Sequence, residues 1–350
     1  MSTKHSGPTQ KELVMGASNP AIRPLSELAD GEKADVFVLM TAKEALTTRD
    51  GKPYCMVAFR DAAREVRFPI WADSKLAIKC RDEWLAGNFY KIRGTYQESS
   101  YGPQLMIHDI REVTDTDSVD GFDPSLCIPA SRFDSEEMMR ELLDILKTNI
   151  ANEPLRNLCV QMIEDHREVF LICPAARSNH HAFRSGLLEH VLSVTKTCLF
   201  LADKYAAYYE TLTPPLDGDV VIAGAALHDI GKLREYDLGI EGVEYSPAGN
   251  LIGHILQGRD MVREHPAATE VDGELLLRLE HVIVAHQRLP EWGSPKPPMT
   301  PEALIVHYAD DLDAKYAMMA TALSEAVGED AMTSNRNPLR QRIYRGVKPR

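Results

Sequence analysis

The hydrophobic pattern of this chain changes its period once, between residues 115 and 134. Before this stretch, short runs of β-forming residues are separated by turn signals such as Asp50-Gly51. After it, apolar residues recur at helical spacing, starting with Met138 and Leu142. Because strands and helices need different hydrophobic periods, the 350-residue chain is predicted to form two domains of different class.

The predicted architecture is α+β. Five strand-like runs within about 90 residues indicate a small five-stranded β-barrel. The second domain is predicted to be all-α, and Asp134 with Glu137 forms a plausible capping box at its first helix. Asp219 is predicted to cap a later helix, and Gly231 to end it. The predicted segments are a flexible leader at 1–22, the barrel at 23–115, a polar linker at 116–133, the helical domain at 134–330 and a basic C-terminal tail at 331–350.

Composition excludes several classes of protein. No apolar run approaches the roughly 20 residues of a membrane span, and the first ten residues lack the apolar core of a secretory signal. The six cysteines are scattered without a CxxC pair, which is typical of a reducing compartment. We therefore expect a cytoplasmic protein that does not associate with membranes.

The net charge of −13 is unlike that of most nucleic-acid-binding domains. The last fifteen residues differ, since 336–350 contain six Lys and Arg and no acid. This basic segment is either an arm that follows phosphates or a solvated, frayed terminus.

Ionisable residues occur within or beside apolar runs of the helical half. A buried carboxylate is costly unless it is paired or bound to metal. Each such residue alone could be a satisfied core residue, but six in one half are difficult to explain by packing and point to a metal site. The dipeptide His-Asp occurs twice, as His228-Asp229 in this half and as His108-Asp109 in a strand-like run. Neighbouring side chains of a strand point to opposite faces, so His108-Asp109 is interpreted as structural. The six candidates are His190, His228, Asp229, His254, His286 and Asp310.

The order of these residues resembles the HD-domain superfamily of metal-dependent phosphohydrolases. The whole arrangement is similar to the YhaM-type 3′→5′ exoribonucleases, which join an OB-fold to an HD domain. The resemblance covers about residues 23–320 and implies an OB-like barrel in the first domain. In that family a second histidine tends to follow the one that corresponds to His286, and this chain departs from the pattern because it has Gln287 there. The matching segments are HHAFRSGLLEHV, AALHDIGK, GNLIGHI, EWGSP and HYADDLDAK.

Phosphodiester hydrolysis can use two divalent ions about 4 Å apart. We expect Asp229 to bridge two such ions. The remaining ligands are then divided into two sets, namely His190, His228 and Asp310 for one ion, and His254 and His286 for the other. Nitrogen and oxygen donors without cysteine suit Mn²⁺ first, with Fe²⁺, Co²⁺, Mg²⁺ or Zn²⁺ as alternatives.

Further residues are candidates for substrate contact. Lys232 follows His228 by one helical turn and is predicted to hold a substrate phosphate, the alternative being a solvated lysine. His180 and His181 are predicted either to contact phosphate or to protonate the leaving oxygen, the alternative being a surface pair. Arg184 is a further candidate for phosphate.

Alternation along the strand-like runs places aromatic and basic side chains on one outward face of the barrel. OB-folds bind single strands with such a combination of stacking and phosphate contacts. The alternative is an ordinary barrel whose outer aromatics pack on the helical domain. The predicted nucleic-acid contacts on the barrel are Arg67, Trp71, Phe89, Lys91 and Arg93.

These observations predict a divalent-metal-dependent 3′→5′ exoribonuclease that hydrolyses single-stranded RNA, with single-stranded DNA as an alternative substrate. A first alternative is an HD phosphohydrolase that acts on a nucleotide or cyclic nucleotide. A second, of another class, is a non-catalytic nucleic-acid-binding module with a degenerate metal site. The oligomeric state stays open, with a homo-oligomer among the options.

Overall fold

The computed structural model describes residues 21–99, 102–177, 181–239, 242–324 and 330–346. Most of the predicted leader and the last four residues of the predicted tail lie outside these ranges. The chain divides into two compact units, with the boundary between Cys127 and Ile128. The predicted α+β class is confirmed, because the first unit is built on a sheet and the second mainly on helices.

The first unit is a five-stranded antiparallel barrel with the strand order β3-β2-β1-β4-β5. The long β1 pairs with both β2 and β4, and β3 and β5 lie against each other and close the barrel. A short helix, α1, connects β3 to β4. This order and closure are the topology of an OB-fold. The elements are β1 (Lys33–Thr47), β2 (Pro53–Arg60), β3 (Glu65–Trp71), α1 (Ala77–Asp82), β4 (Phe89–Ser99) and β5 (Gly102–Glu112).

The alternating pattern of the strands decides which side chains fill the barrel. Val66, Phe68 and Ile70 of β3 are buried, as are Tyr90 and Ile92 of β4. Their neighbours in sequence point to the other side of the sheet, because side chains alternate along a strand. The barrel core therefore follows the predicted alternation.

The segment that precedes the unit boundary folds onto the outside of the barrel. Two short 3-10 helices, Asp115–Asp120 and Pro124–Cys127, follow β5. Phe122 and Cys127 of this segment pack with Phe37 in a small second core. Residues 116–127, predicted as the first part of a polar linker, thus lie within the first unit.

The second unit is mainly helical and also contains a hairpin formed by β6 and β7. It is organised around α6, whose residues Val220–Leu227 are all buried, as expected for a helix that is apolar on every side. The remaining helices surround it. The elements are α2 (Ser135–Asn149), α3 (Glu153–Asp165), α4 (Arg167–Phe170), α5 (Gly186–Tyr208), α6 (Gly218–Leu227), α7 (Lys232–Glu235), β6 (Tyr236–Gly239), β7 (Gly242–Tyr245), α8 (Pro247–Leu251), α9 (His254–Glu264), α10 (Gly273–Ala285) and α11 (Pro301–Ser324).

Helix ends agree only in part with the predicted signals. Asp134 caps α2 by accepting the Glu137 N–H over 2.9 Å, which confirms the predicted start. The N-cap of α6 is Asp217, and the predicted cap Asp219 instead accepts the Asn152 N–H over 2.6 Å. Gly231 was predicted to end the helix, but its φ of −65° is helical and it is the N-cap residue of α7.

Gly231 is needed for a close approach between two segments. A Cβ at this position would lie 1.9 Å from the backbone oxygen of His254 and 2.5 Å from the Gly258 nitrogen. Such contacts are far inside van der Waals distance, so only glycine fits without movement of α9. The absence of a side chain at 231 thereby brings the start of α9 next to the end of α6.

None of the helices among the described residues combines the length and apolarity needed to cross a bilayer. All six cysteines are free thiols.

Candidate metal centre

All six predicted ligands meet in the core of the second unit. His190 lies on α5, Asp310 on α11, and His254 is the first residue of α9. His228-Asp229 and His286 directly follow α6 and α10. The exposed fraction is zero for His190, His228 and His286, and 1% for Asp229. The cluster is thus built from helix ends and helix interiors that come from five separate parts of the chain.

Asp229 lies at the centre of this cluster. Its Oδ2 lies 3.4 Å from Nε2 of His228 and 3.6 Å from Nε2 of His190. Its Oδ1 lies 3.4 Å from Nε2 of His254 and 3.6 Å from Nε2 of His286. Each oxygen of the carboxylate therefore faces a different pair of imidazoles.

The other nitrogen of each imidazole contacts an oxygen atom outside the cluster. In His228 and His286, Nδ1 lies 2.8 and 2.7 Å from the backbone oxygens of Ala225 and Ile283. Backbone carbonyls only accept hydrogen bonds, so Nδ1 carries a proton and Nε2 is the ring nitrogen that faces Asp229. Nδ1 of His190 and of His254 contacts a carboxylate in the same way, 2.7 Å from Asp313 and 3.1 Å from Glu235.

The buried polar atoms of the cluster fit divalent cations. Asp229 Oδ1 and His286 Nε2 are buried and have no hydrogen-bond partner among the described residues, a costly state for polar atoms. The donor atoms form two groups, each within 4.8 Å, namely His190 with His228 and Asp310, and Asp229 with His254 and His286. Imidazole nitrogens with carboxylate oxygens suit first-row divalent ions. The residues present could therefore hold two such ions.

Electrostatics within the cluster favour the charged forms of its acids. Burial raises the pKa of Asp229, but the charges of Lys232 and His228 outweigh this and hold the pKa well below its usual range. Burial likewise disfavours protonated His190, but hydrogen bonds to Asp310 and Asp313 raise its pKa to about 9. The cluster therefore attracts positive charge, as a proton or as a metal ion.

Lys232 and Gln287 also reach the centre. Lys232 is buried, and its Nζ lies 2.6 Å from Asp229 Oδ2, so the alternative of a solvated lysine is wrong. Gln287, at the position of the expected second histidine, places Nε2 3.3 Å from Nε2 of His254. The Gln287 amide, directly after His286 in sequence, thus contacts the predicted ligand His254.

The histidine pair and Arg184 are placed differently. His180 lies outside the described residues. His181 Nε2 lies 3.0 Å from Asp313 Oδ2, on the carboxylate that also holds His190. His181 thus lies behind a predicted ligand and does not line the pocket described below, contrary to the expected contact with substrate. Arg184 is exposed and pairs through its backbone with residues 129–131.

Three supporting residues were not predicted from the sequence. Asp313 and Glu235 contact the outer nitrogens of His190 and His254, and His307 Nδ1 lies 2.6 Å from the backbone oxygen of His286. Asp313 is three residues after Asp310 on one helix, so helical spacing was the only available signal for it.

The cluster opens into a pocket of about 910 Å³, a size typical of small-molecule sites. Asp229, His254 and His286 form the side that carries the candidate metal ligands, which we call the metal-binding side. Aromatic and apolar residues form much of the remainder, with Lys232 and Lys315 as cations. Further lining residues used below are Tyr236, Tyr245, Trp292, Pro338 and Leu339.

The predicted outward face of the barrel is only partly open. Lys91 is 15% exposed and pairs with Asp120 over 2.5 Å, and Arg93 pairs with Asp35 over 2.7 Å. Phe89 packs against Phe122, with ring centroids 5.4 Å apart. The expectation of one continuous exposed face is therefore wrong at Lys91 and Phe89, because the segment after β5 covers them.

Arg67 and Trp71, both on β3, remain about half exposed. Arg67 makes a surface ion pair with Glu44 over 3.0 Å. Trp71 is 44% exposed and contacts the Tyr54 ring at 5.1 Å. These two side chains are the part of the predicted face that could contact a nucleic acid without rearrangement.

Residues 187–315 match the family model of the HD domain. The match begins on α5, ends in α11 and includes all six residues of the cluster. The second unit is thus similar to the HD domain over the segment that contains the buried histidines and aspartates of the cluster.

Two solved structures are also similar to this chain. One is the solution structure of the second OB-fold domain of replication protein A from Methanococcus maripaludis, with 16% identity and a TM-score of 0.21, covering 27% of this chain and 96% of that chain. The other is a crystal structure of a domain of replication protein A from the same organism, with 12% identity and a TM-score of 0.22, covering 26% and 94%. The OB-like character of the barrel rests on its strand order and closure.

Proposed function

We propose that this protein is a divalent-metal-dependent 3′→5′ exoribonuclease that hydrolyses single-stranded RNA, with single-stranded DNA as an alternative substrate. The observation that carries the proposal is the position of Asp229, whose two oxygens face two separate pairs of imidazoles. A carboxylate in that position is suited to bridge two ions. The match to the HD domain supports the same class of chemistry.

Two divalent ions bound here would supply hydroxide at neutral pH and stabilise charge on the attacked and departing oxygens. The residues of the chain set the conditions for this chemistry. Asp313 and Glu235 orient the rings of His190 and His254, so that both Nε2 atoms point to the centre. Lys232 holds a fixed positive charge at the pocket wall, where an anionic phosphate would lie.

A nucleic-acid substrate is supported by the barrel and by the pocket. OB-folds bind single strands by stacking bases on aromatic side chains, and Trp71 with Arg67 offers one such position. The pocket adds Tyr236, Tyr245 and Trp292 near the metal-binding side, where a terminal base could stack. The 3′→5′ direction and the preference for RNA rest on the resemblance to the YhaM-type enzymes.

One observation favours a second candidate, a hydrolase of nucleotides or cyclic nucleotides. Lys91, Arg93 and Phe89 are engaged within the barrel, which leaves a smaller face for a strand. The pocket is large enough for a mononucleotide alone. This candidate shares the metal centre and differs in the length of its substrate.

The deciding experiment uses a single-stranded RNA 20-mer labelled at either end, with Mn²⁺ or with EDTA. The proposal predicts a ladder that shortens one nucleotide at a time from the 5′-labelled strand, and immediate release of a labelled mononucleotide from the 3′-labelled strand. Both products must disappear with EDTA. An intact 20-mer, together with hydrolysis of a nucleotide or cyclic nucleotide, would contradict it and favour the second candidate.

A further inference from the structure

The C-terminal segment forms an ordered hairpin on the second unit. The Thr333 N–H donates to the Ile343 oxygen and the Arg345 N–H to the Ala331 oxygen, both over 2.8 Å. Thr333 and Ile343 are 6% and 7% exposed. The described part of this basic segment, which we call the C-terminal hairpin (residues 331–345), is therefore packed rather than a frayed end.

The turn of the C-terminal hairpin reaches the metal pocket. Pro338 and Leu339 line the same pocket as Asp229 and His254. Asn337 holds the turn, since its Nδ2 donates to the backbone oxygens of Ser334 and Gln341, each over 2.8 Å. The turn of the hairpin thus forms part of the pocket wall.

The charge of the C-terminal hairpin differs from that of the rest of the protein. Residues 331–345 contain four arginines and no acid, in a chain of net charge −13. Arg336, Arg340 and Arg342 are exposed, and no carboxylate among the described residues forms an ion pair with them. They belong to the hairpin whose turn residues Pro338 and Leu339 line the pocket, and exposed cations attract a polyanion rather than a neutral ligand.

We propose that the C-terminal hairpin is a phosphate-binding rim, which holds the backbone of a single-stranded nucleic acid beside the metal pocket. Arg336, Arg340 and Arg342 contact backbone phosphates of the strand, and Pro338 with Leu339 borders the nucleotide that enters the pocket. The inference rests on the proposed function for its substrate class. It adds a binding surface in the second unit itself, independent of the barrel.

The test compares wild type with the triple variant Arg336→Gln, Arg340→Gln, Arg342→Gln. Binding of a 5′-fluorescein single-stranded RNA 20-mer is measured by anisotropy in EDTA, which prevents turnover, between 50 and 200 mM KCl. A matched control replaces Arg140, Lys147 and Lys204 by Gln, three exposed cations that do not line the pocket. For single strands, log Kd rises by about 0.7 per phosphate contact for each tenfold increase in salt concentration. The slope of log Kd against log salt concentration should therefore be smaller by about 2 in the triple variant, which lacks three such contacts.

We expect the triple variant to bind more weakly than wild type at the lowest salt. Because the slopes differ by about 2, the ratio of the two Kd values should fall by about 16-fold between 50 and 200 mM KCl, and the control should resemble wild type. An unchanged Kd and slope, or a wild type that does not bind the 20-mer, would overturn the inference. Hydrolysis of bis(p-nitrophenyl) phosphate with Mn²⁺ separates the two claims. The triple variant should keep the wild-type rate on this small diester, and a parallel loss would mean that the hairpin only supports the pocket. Wild type that binds the 20-mer without degrading it would refute the exonuclease and leave the rim supported.

Discussion

His190 is held between two carboxylates of a single helix, because Nδ1 lies 2.7 Å from Asp313 Oδ2 and Nε2 lies 3.2 Å from Asp310 Oδ1. Asp313 also accepts from Ser193 Oγ over 2.5 Å and contacts His181 over 3.0 Å. The carboxylate of Asp313 therefore fixes the orientation of the His190 ring. Asp310 lies on the other side of the ring, where it could bind the same ion as His190.

Replacing Asp313 by Asn should weaken Mn²⁺ binding by about 10- to 100-fold, the usual effect of removing a group that orients a ligand. The amide keeps the shape of the side chain but loses the charge that supports His190. Isothermal titration with Mn²⁺ measures the effect. Asp203→Asn, an exposed change on α5, is the control. Equal affinities in Asp313→Asn and wild type would show that Asp313 does not support the metal centre.

Lys232→Ala should slow hydrolysis while the metal content stays near that of wild type. If Lys232 holds a phosphate, one charge-assisted contact of about 1.5–3 kcal/mol is lost, which lowers kcat/KM by about 10- to 150-fold. The rate on RNA and the Mn²⁺ content are measured together. Lys196→Ala, at a half-exposed lysine paired with Glu141, serves as control. If kcat/KM is unchanged, Lys232 only neutralises Asp229.

Gly231→Ala should destabilise the second unit, because the added Cβ meets the His254 oxygen at 1.9 Å. Overpacking of this kind costs about 1–3 kcal/mol, and it also displaces His254 from the cluster. The matched control is Gly218→Ala, which meets nothing within 4 Å and should leave stability unchanged or raised. Thermal unfolding followed by circular dichroism compares the two. Equal melting temperatures for both variants would disprove the close approach.

Asp117→Asn should destabilise the barrel in a pH-dependent way. The hydrogen bonds from Arg111 hold the pKa of Asp117 well below its usual range, despite burial. A depressed folded pKa stabilises the protein above the unfolded value of about 3.9, and that stabilisation is lost as the pH falls through the folded pKa. The difference in melting temperature between wild type and variant should thus be large at pH 7 and decrease below pH 4.

The fluorescence of Trp71 and Trp84, in a Trp292→Phe background, reports on the barrel. Asp115→Asn, at an exposed acid of the same short helix, is the control and should shift the melting temperature little. A difference between wild type and Asp117→Asn that stays constant from pH 7 to pH 3 would contradict the assigned ion pair.

The sequence was sufficient for the architecture and for the six residues of the cluster. Alternation along β3 and β4 correctly predicts which side chains enter the barrel, because the strand period is fixed by the backbone. The six candidate ligands stood out because charged groups are rare inside apolar helices. His228-Asp229 and His108-Asp109 are identical dipeptides, and only the context of helix or strand separates them.

The remaining features depend on contacts that local patterns do not contain. Lys91 was predicted on the correct side of β4, but the alternation cannot show that Asp120, 29 residues later, covers it. Asp313 was missed because acids are common on helix surfaces, and its contact with His190 spans 123 residues. Asp217 and Asp219 are equally good caps in sequence, and tertiary contact with Asn152 decides between them.

The most direct test of the metal centre is the Mn²⁺ content and the rate of RNA hydrolysis of Asp229→Asn beside Asp109→Asn. In Asp109→Asn, where the matched dipeptide lies on β5, two Mn²⁺ per chain and near wild-type turnover are expected. In Asp229→Asn, the carboxylate that faces both imidazole pairs loses its charge with little change of volume. At least one Mn²⁺ should be lost. The rate should fall by more than about 100-fold, which is the upper end of the effect expected for a residue that only orients a ligand. Two Mn²⁺ and a normal rate in Asp229→Asn would contradict the account.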